Sequence, residues 1–146
     1  MNPIPSRRTD GSPRPLLDNM FMDVAEVIAA RSTCPDGARH GAVLVMDGHI
    51  VATGYGSPAA GVPPCDECWL RKKYKETGVK DWSVCPSVHA ELNAVAMAAK
   101  FGIRVWGSTV FLTKEPCEPC ARLLKNAGVV SWVTRRESGV LVKGTF

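Results

Sequence analysis

The run His89-Ala90-Glu91 and, further along, Pro116-Cys117-Glu118-Pro119-Cys120 decide how the rest of the chain is read. Zinc takes imidazole nitrogen and thiolate sulfur in a tetrahedron, and a catalytic site keeps one of its positions for water. His89, Cys117 and Cys120 are ligands of that kind. Cys117 and Cys120 are three apart, so a helix puts both thiols on one face, and Pro116 with Pro119 marks a first turn, where a missing amide donor is tolerated. A helix N-terminus also favours thiolate. Glu91 follows His89 by two residues, in the first turn of an Ala-rich stretch, and so stands beside the metal without sharing the direction of His89. It is placed to handle the protons of a water that zinc has made acidic. The competing reading is a structural zinc with a fourth ligand elsewhere and Glu91 on the surface.

Outward from this stretch, the helix that begins near Val88 runs through HAELNAVAMAAK to about Phe101, where Gly102 ends it. Residues 104–113 carry a strand, 117–127 a helix closed by Gly128, and 129–134 a further strand. Upstream, residues 40–55 form two β-branched runs around Asp47-Gly48, a strong hairpin signal. Between about Pro15 and Ser32 the apolar residues Leu16, Leu17, Met20, Val24, Val27 and Ile28 fall mainly at three- and four-residue spacings, which predicts an amphipathic helix. Strands alternating with helices after a hairpin give an α/β class with a mixed sheet, both metal-bearing segments starting helices at one end of it. The tail from Gly139 to Phe146 has room for a short edge strand at 140–142.

Residues 1–14, rich in Pro, Ser and Arg, read as a flexible N-terminal arm, and 15–146 as a single domain with a cysteine-containing insertion at about 56–87. The insertion shows no sustained period; Trp69, Tyr74 and Trp82 are expected to form its small core. At 146 residues with 45% hydrophobic and 22% charged, the chain has the size and apolar content of one core. A formal net charge of +4 is mild, and its cations are scattered apart from Arg71, Lys72, Lys73 and Lys75 and the pair Arg135 and Arg136. That suits a phosphate-bearing small molecule as well as nucleic acid. No apolar run approaches the ~20 residues of a membrane span, so a soluble cytoplasmic protein is expected.

Six cysteines in a reducing compartment read as metal ligands or buried thiols rather than disulfides. Cys34, Cys65, Cys68 and Cys85 are left after the first site, and Cys65 and Cys68 have knuckle spacing. Four thiolates would close a second, structural zinc that ties the insertion to the end of the first helix, with His40 or His49 able to replace one; the other reading is unligated thiols in a loop.

The pairing H-x-E with P-C-x-x-C is the signature of zinc nucleobase deaminases. Together with Arg31-Ser32-Thr33-Cys34, Gly41 to Val45, Gly54-Tyr55, the cysteine-bearing insertion, His89 to Ala94, Pro116 to Ala121 and Asn126-Ala127-Gly128, it makes the chain resemble the deoxycytidylate deaminases over most of residues 16–134. That resemblance implies a three-layer α/β/α sandwich around a mixed sheet of about five strands, and hydrolytic conversion of dCMP to dUMP with loss of ammonia. It makes His89, Cys117 and Cys120 the zinc ligands, Glu91 the proton shuttle, the backbone at Ala90 a contact to the pyrimidine edge, and the carbonyl near Glu115 a receiver for the departing amine. Arg31 and Ser32 are carried over as contacts near the phosphate, and Tyr55 and Ser57 as substrate contacts. It further implies a homo-oligomer, a hexamer in many members, with dCTP and dTTP as effectors and Mg²⁺ only where such effectors bind.

The chain departs from the family pattern in three places. Gly54-Tyr55-Gly56-Ser57 stands where Gly-Tyr-Asn-Gly is usual, so Ser57 or another group must hold the sugar. Cys85 is followed by Pro86 rather than arginine. Thr134 stands near a customary aromatic position. Alternative substrates are therefore a modified deoxycytidylate, a nucleoside, a triphosphate, a base within single-stranded RNA or DNA, or a riboflavin-pathway or purine amine; a non-catalytic zinc-binding protein is the reading outside catalysis.

Overall fold

The alternation Ala42-Val43-Leu44-Val45 sends successive side chains to opposite faces of a strand, and both faces are covered. The computed structural model describes residues 9–146, the side chain of Trp82 apart; most of the expected N-terminal arm lies outside the described residues. Strand β1 (Gly41–Met46) turns at Asp47 (φ 51°) and Gly48 (φ 76°) into β2 (His49–Tyr55). Two consecutive positive φ values are what a tight hairpin with the right-handed strand twist demands, and Asp-Gly meets that demand. Beside β1 lies β5 (Thr109–Leu112), then β6 (Ser131–Arg135), then β7 (Leu141–Thr145), in the order β2-β1-β5-β6-β7. Only β5 and β6 run parallel; helix α4 (Glu118–Asn126) makes their crossover.

One face of the sheet presents Val43, Val45, Phe111 and Val133 to helix α1 (Leu17–Ala29), whose Phe21, Met22 and Ala25 are buried against them. The other presents Ala42, Leu44, Ala52, Val110 and Leu112 to helix α3 (Ala90–Lys100), through Ala90, Ala94 and Ala98, and to α4, through Leu124. Three layers around a mixed five-strand sheet are thus present, as expected. The alanines of α3 keep that helix close to the sheet, and Gly54 closes the remaining distance: a Cβ there would lie 2.2 Å from the Ala90 carbonyl oxygen and 2.4 Å from the Ala94 nitrogen. Since those atoms are backbone, only a displacement of α3 could make room. A Gly54→Ala variant is expected to lose about 3 kcal/mol of stability, the upper end of an overpacking penalty, and urea melts against the parent read it directly; an unchanged midpoint would mean that α3 is not clamped in this way.

One member of the basic pair, Arg135 at the end of β6, has a structural task. Arg135 donates to Asp23 (2.7 Å), to Glu26 (3.0 Å) and to the Asn19 carbonyl (2.9 Å), tying β6 to α1. Within the basic run, Arg71 pairs with Asp36 and Lys72 with Glu67 at 2.7 Å. Several cations that looked available for a phosphate backbone are already neutralised.

Elements differ from expectation where local pattern is weak. The insertion contains helix α2 (Trp69–Thr77), which no apolar period announced because it buries none of its residues; Trp69 and Tyr74 are about half exposed and do not form the expected small core. Strand β5 is shorter than 104–113, and β7 is longer than 140–142. Short strands β3 (Ser57–Pro58) and β4 (Ser87–Val88) pair antiparallel, Ser57 with Val88 and Pro58 with Ser87, so the insertion returns to the chain directly before His89. Among the described residues no helix is long and apolar enough to cross a membrane.

Candidate active site

Gly41 pairs with Tyr55 and Ala42 with Leu112, so the start of β1 and the ends of β2 and β5 share one edge of the sheet. At that edge α3 and α4 both begin. His89 is the N-cap of α3, extended at φ −65° and ψ 154°, and Cys117 is the N-cap of α4 at φ −67° and ψ 161°. Neither cap makes a side-chain hydrogen bond to its helix, which leaves imidazole and thiol free to face each other. Pro119 sits in the first turn of α4, where its missing amide is tolerated. Asn93 holds α3 in register with the edge, its side-chain amide donating to the Tyr55 carbonyl at 2.8 Å and reaching Ser57 Oγ and the Val88 carbonyl at 3.4 Å each.

The result is a compact donor set. His89 Nδ1 lies 3.5 Å from Cys117 Sγ and 3.4 Å from Cys120 Sγ, and the three ligand atoms all fall within 4.8 Å of one another. Zinc bonds of about 2.3 Å to sulfur and about 2.0 Å to nitrogen, at a tetrahedral angle, separate the two atoms by about 3.5 Å. The residues therefore fit the ion. Cys120 is 1% exposed; its burial first, then the Glu91 carboxylate and the Cys117 thiol, push its own thiol far above the ordinary range. A cation bound at the same place would favour thiolate at that sulfur. Glu91 is 8% exposed, a buried carboxylate with Cys120 as its neighbour.

Against this set lies a cavity of about 450 Å³, whose lining includes His89, Ala90, Glu91, Cys117, Leu112, Thr113, Lys114 and Glu115 together with Cys34, Asp36, Ala38, His40, Gly41, Gly56, Cys68, Leu70, Cys85 and Ser87. A more open groove of about 490 Å³ between α1 and the β5–β7 strands contains neither cysteine nor histidine and lacks the means for this chemistry.

The expected site residues divide. His89, Glu91, Cys117, Cys120, Ala90 and Glu115 converge on one place. Arg31, Ser32, Tyr55 and Ser57 are not among the lining residues: Arg31 is exposed, Ser32 Oγ donates to the Gly56 carbonyl at 2.7 Å, the Tyr55 carbonyl receives Asn93, and Ser57 Oγ turns to Pro58. Cys34, Cys68 and Cys85 reach the cavity wall, and the charges of Cys85, Cys34 and Cys68 are felt at Cys65, whose thiol is raised first by burial and then by them. Among the described residues, however, only His89, Cys117 and Cys120 bring three ligand atoms within mutual reach of one ion. Asp36, His40, Ser87, Thr113 and Lys114 line the cavity and were not read as substrate contacts. His40 precedes the first strand as a lone histidine, and Lys114 lies inside Thr113-Lys114-Glu115-Pro116-Cys117, one step from the motif that did draw attention. Burial, then the charges of Lys114 and His89, hold the His40 imidazole below its ordinary pKa.

Comparisons with known proteins agree with this geometry. The family described as the cytidine and deoxycytidylate deaminase zinc-binding region matches residues 16–135. A deoxycytidylate deaminase of Mycobacterium phage D29 is 35% identical over 129 residues, covering 86% of this chain and 98% of that protein. One from Enterobacteria phage T4 is 30% identical over 139 residues, covering 74% of this chain and 72% of that protein. The crystal structure of a dCMP deaminase from cyanophage S-TIM5 in complex with dCMP and dUMP superposes with a TM-score of 0.65 at 30% identity, over 80% of this chain and 79% of that one. With a matching donor set, a matching fold and relatives of similar length, the chain belongs to the cytidine and deoxycytidylate deaminase family.

Proposed function

We propose that the chain catalyses the zinc-dependent hydrolytic deamination of dCMP to dUMP and ammonia. The observation that carries this reading is the convergence of His89, Cys117 and Cys120 with a buried Glu91 on one cavity of nucleotide size. Held by those three residues, zinc would supply a water acidic enough to give hydroxide near neutral pH. Glu91 takes a proton from the attacking water and delivers protons to the ring nitrogen and to the leaving ammonia as C4 of the pyrimidine gains oxygen and loses its amine. The Ala90 amide, in the first turn of α3, belongs to the helix-end donors that lack an intrahelical partner, and it meets the pyrimidine edge. The backbone carbonyl at Glu115 receives the amine. Lys114 is the one lysine or arginine among the lining residues, and the phosphate is assigned to it in place of Arg31 and Ser32.

The finer assignments go with this reading. The grouping of thiols around Cys65 supports a second zinc on Cys34, Cys65, Cys68 and Cys85, for which metal analysis should return two zinc ions per chain. Assembly into a homo-oligomer and regulation by dCTP and dTTP, with Mg²⁺ arriving on those triphosphates, follow from the family resemblance, as does one domain over 15–146. A cytoplasmic location is where free deoxynucleotides are met.

Ammonia release from dCMP, 5-methyl-dCMP, dCTP, deoxycytidine, CMP and a short single-stranded DNA tests the substrate. The monophosphate dCMP is expected to be turned over best. Activity confined to the DNA, with zinc bound, would replace this reading with an editing deaminase.

A further inference from the structure

The chain enters the metal-ligand segment in extended form. Ser87 and Val88 make strand β4, paired with Pro58 and Ser57, and His89 continues it at φ −65° and ψ 154°. Successive side chains of an extended segment leave on opposite sides, so Ser87 shares the side of His89 and Val88 takes the other. In keeping with this, Ser87 and His89 line the cavity and Val88 does not. The Ser87 hydroxyl is unclaimed by the fold. Thr113 Oγ1, also on the lining, accepts the Gly41 amide at 3.0 Å, and the neighbouring Ser32 Oγ donates to the Gly56 carbonyl at 2.7 Å. Ser87 Oγ has no hydrogen-bond partner among the described residues; the residue is half-buried, and its oxygen keeps accessible surface. Gly56 helps to leave it open: a Cβ there would stand 3.9 Å from Ser87 Oγ, already in contact, so any longer side chain would crowd the hydroxyl that glycine leaves uncovered.

The spacing restricts which part of a nucleotide can meet that hydroxyl. Two residues of extended chain span about 6.7 Å, the scale on which a pyrimidine carries its sugar, attached at N1 across the ring from the reacting C4. In the proposed reaction C4 is held at the His89 end, and the amine, the ring nitrogen and the carbonyl edge are engaged by Glu91, Glu115 and Ala90. What is left at the distance of Ser87 is the sugar. A serine hydroxyl donates and accepts, which matches a sugar hydroxyl; an ionised phosphate only accepts and is better met by the cation of Lys114. Resting on the dCMP reading above, we propose that Ser87 is a specificity-determining residue whose Oγ hydrogen-bonds the 3′-hydroxyl of the bound deoxynucleotide.

The experiment measures kcat and KM for dCMP and for 2′,3′-dideoxycytidine monophosphate on the parent, on Ser87→Ala, and on Ser87→Thr, which keeps the hydroxyl on a residue type that strands accept. The parent should favour dCMP by about tenfold in kcat/KM, the upper value of one neutral hydrogen bond. Ser87→Ala should bring the two substrates within about twofold of each other by raising KM for dCMP, with zinc content kept, and Ser87→Thr should restore much of the preference. Equal use of the two substrates by the parent would overturn the assignment even if Ser87→Ala does not fold. An equal loss on both substrates in Ser87→Ala would also overturn it and make the serine a structural residue of β4. So would a loss that disappears with deoxycytidine rather than with the dideoxy nucleotide, which would put the phosphate at Ser87. A parent that turns over neither dCMP nor its dideoxy analogue would remove the functional reading itself, and the inference with it; the other failures all leave the parent active, and the two kinds are thereby told apart.

Discussion

Glu91→Gln is expected to lower kcat for dCMP by about 10³-fold or more while zinc stays bound. The amide matches the carboxylate in shape, so the first turn of α3 and its packing on β2 are preserved, and what is lost is the capacity to accept and return a proton. General acid–base groups contribute about 10² to 10⁴ in rate, and Glu91 is asked to act more than once per turnover, on the attacking water and again at the ring nitrogen and the amine. The same change also removes a negative charge from beside the Cys120 thiol, so retention of the metal is checked separately from the rate. Single-turnover kinetics with metal analysis on the same sample separates the two effects. Turnover within tenfold of the parent would remove Glu91 from the mechanism, and loss of zinc would make it a structural residue.

Much of this site could be read from the chain because its parts are local. A cap residue, a proline in the first turn and cysteines three apart fix the directions of side chains within one helical turn, so Cys117 and Cys120 needed no tertiary information. The hairpin was equally local, since Asp47 and Gly48 take the left-handed conformations that their residue types tolerate. Helix α2 was invisible for the opposite reason. Its sequence, WLRKKYKET, buries no residue, its ion pairs from Arg71 to Asp36 and from Lys72 to Glu67 reach outside the helix, and the periodicity that reveals other helices is the imprint of burial. The role of Gly54 could not be read either: nothing in Gly-Tyr-Gly-Ser says that α3 passes within a Cβ radius of it. His40 and Lys114 are legible only once β1 and the loop after β5 are known to face the same cavity. The four remaining cysteines show the limit of spacing arguments, for Cys65 and Cys68 have the separation of a knuckle, yet the described thiols do not draw as close together as the His89 set.

The second large effect concerns the metal. In Cys120→Ala the bound zinc is expected to fall from one per site to near zero at the His89 centre, and turnover to fall to background. The side chain is almost fully buried, and alanine is small enough for α4 to keep its path, so the lesion is mainly the missing sulfur. Because burial, Glu91 and Cys117 hold the metal-free thiol well above its usual range, it is protonated throughout the physiological range and must release that proton when zinc enters. The sign follows: a bound ion favours thiolate, so apparent zinc affinity weakens as pH falls, by about tenfold per unit for that one proton. In the variant this contribution to the pH dependence should vanish along with most of the affinity. At zinc a thousandfold above its dissociation constant the parent gains about 4 kcal/mol from the ion, which for a chain of this size is a shift in Tm of roughly 10 °C. Cys120→Ala with zinc present should therefore melt well below the zinc-loaded parent, and the chelator-stripped parent, which also loses the zinc proposed on Cys34, Cys65, Cys68 and Cys85, should melt no higher than the variant. If the variant instead melts with the loaded parent and still carries zinc at this centre, Cys120 is not a ligand, and the ion would have to be held by His89 and Cys117 with some other group.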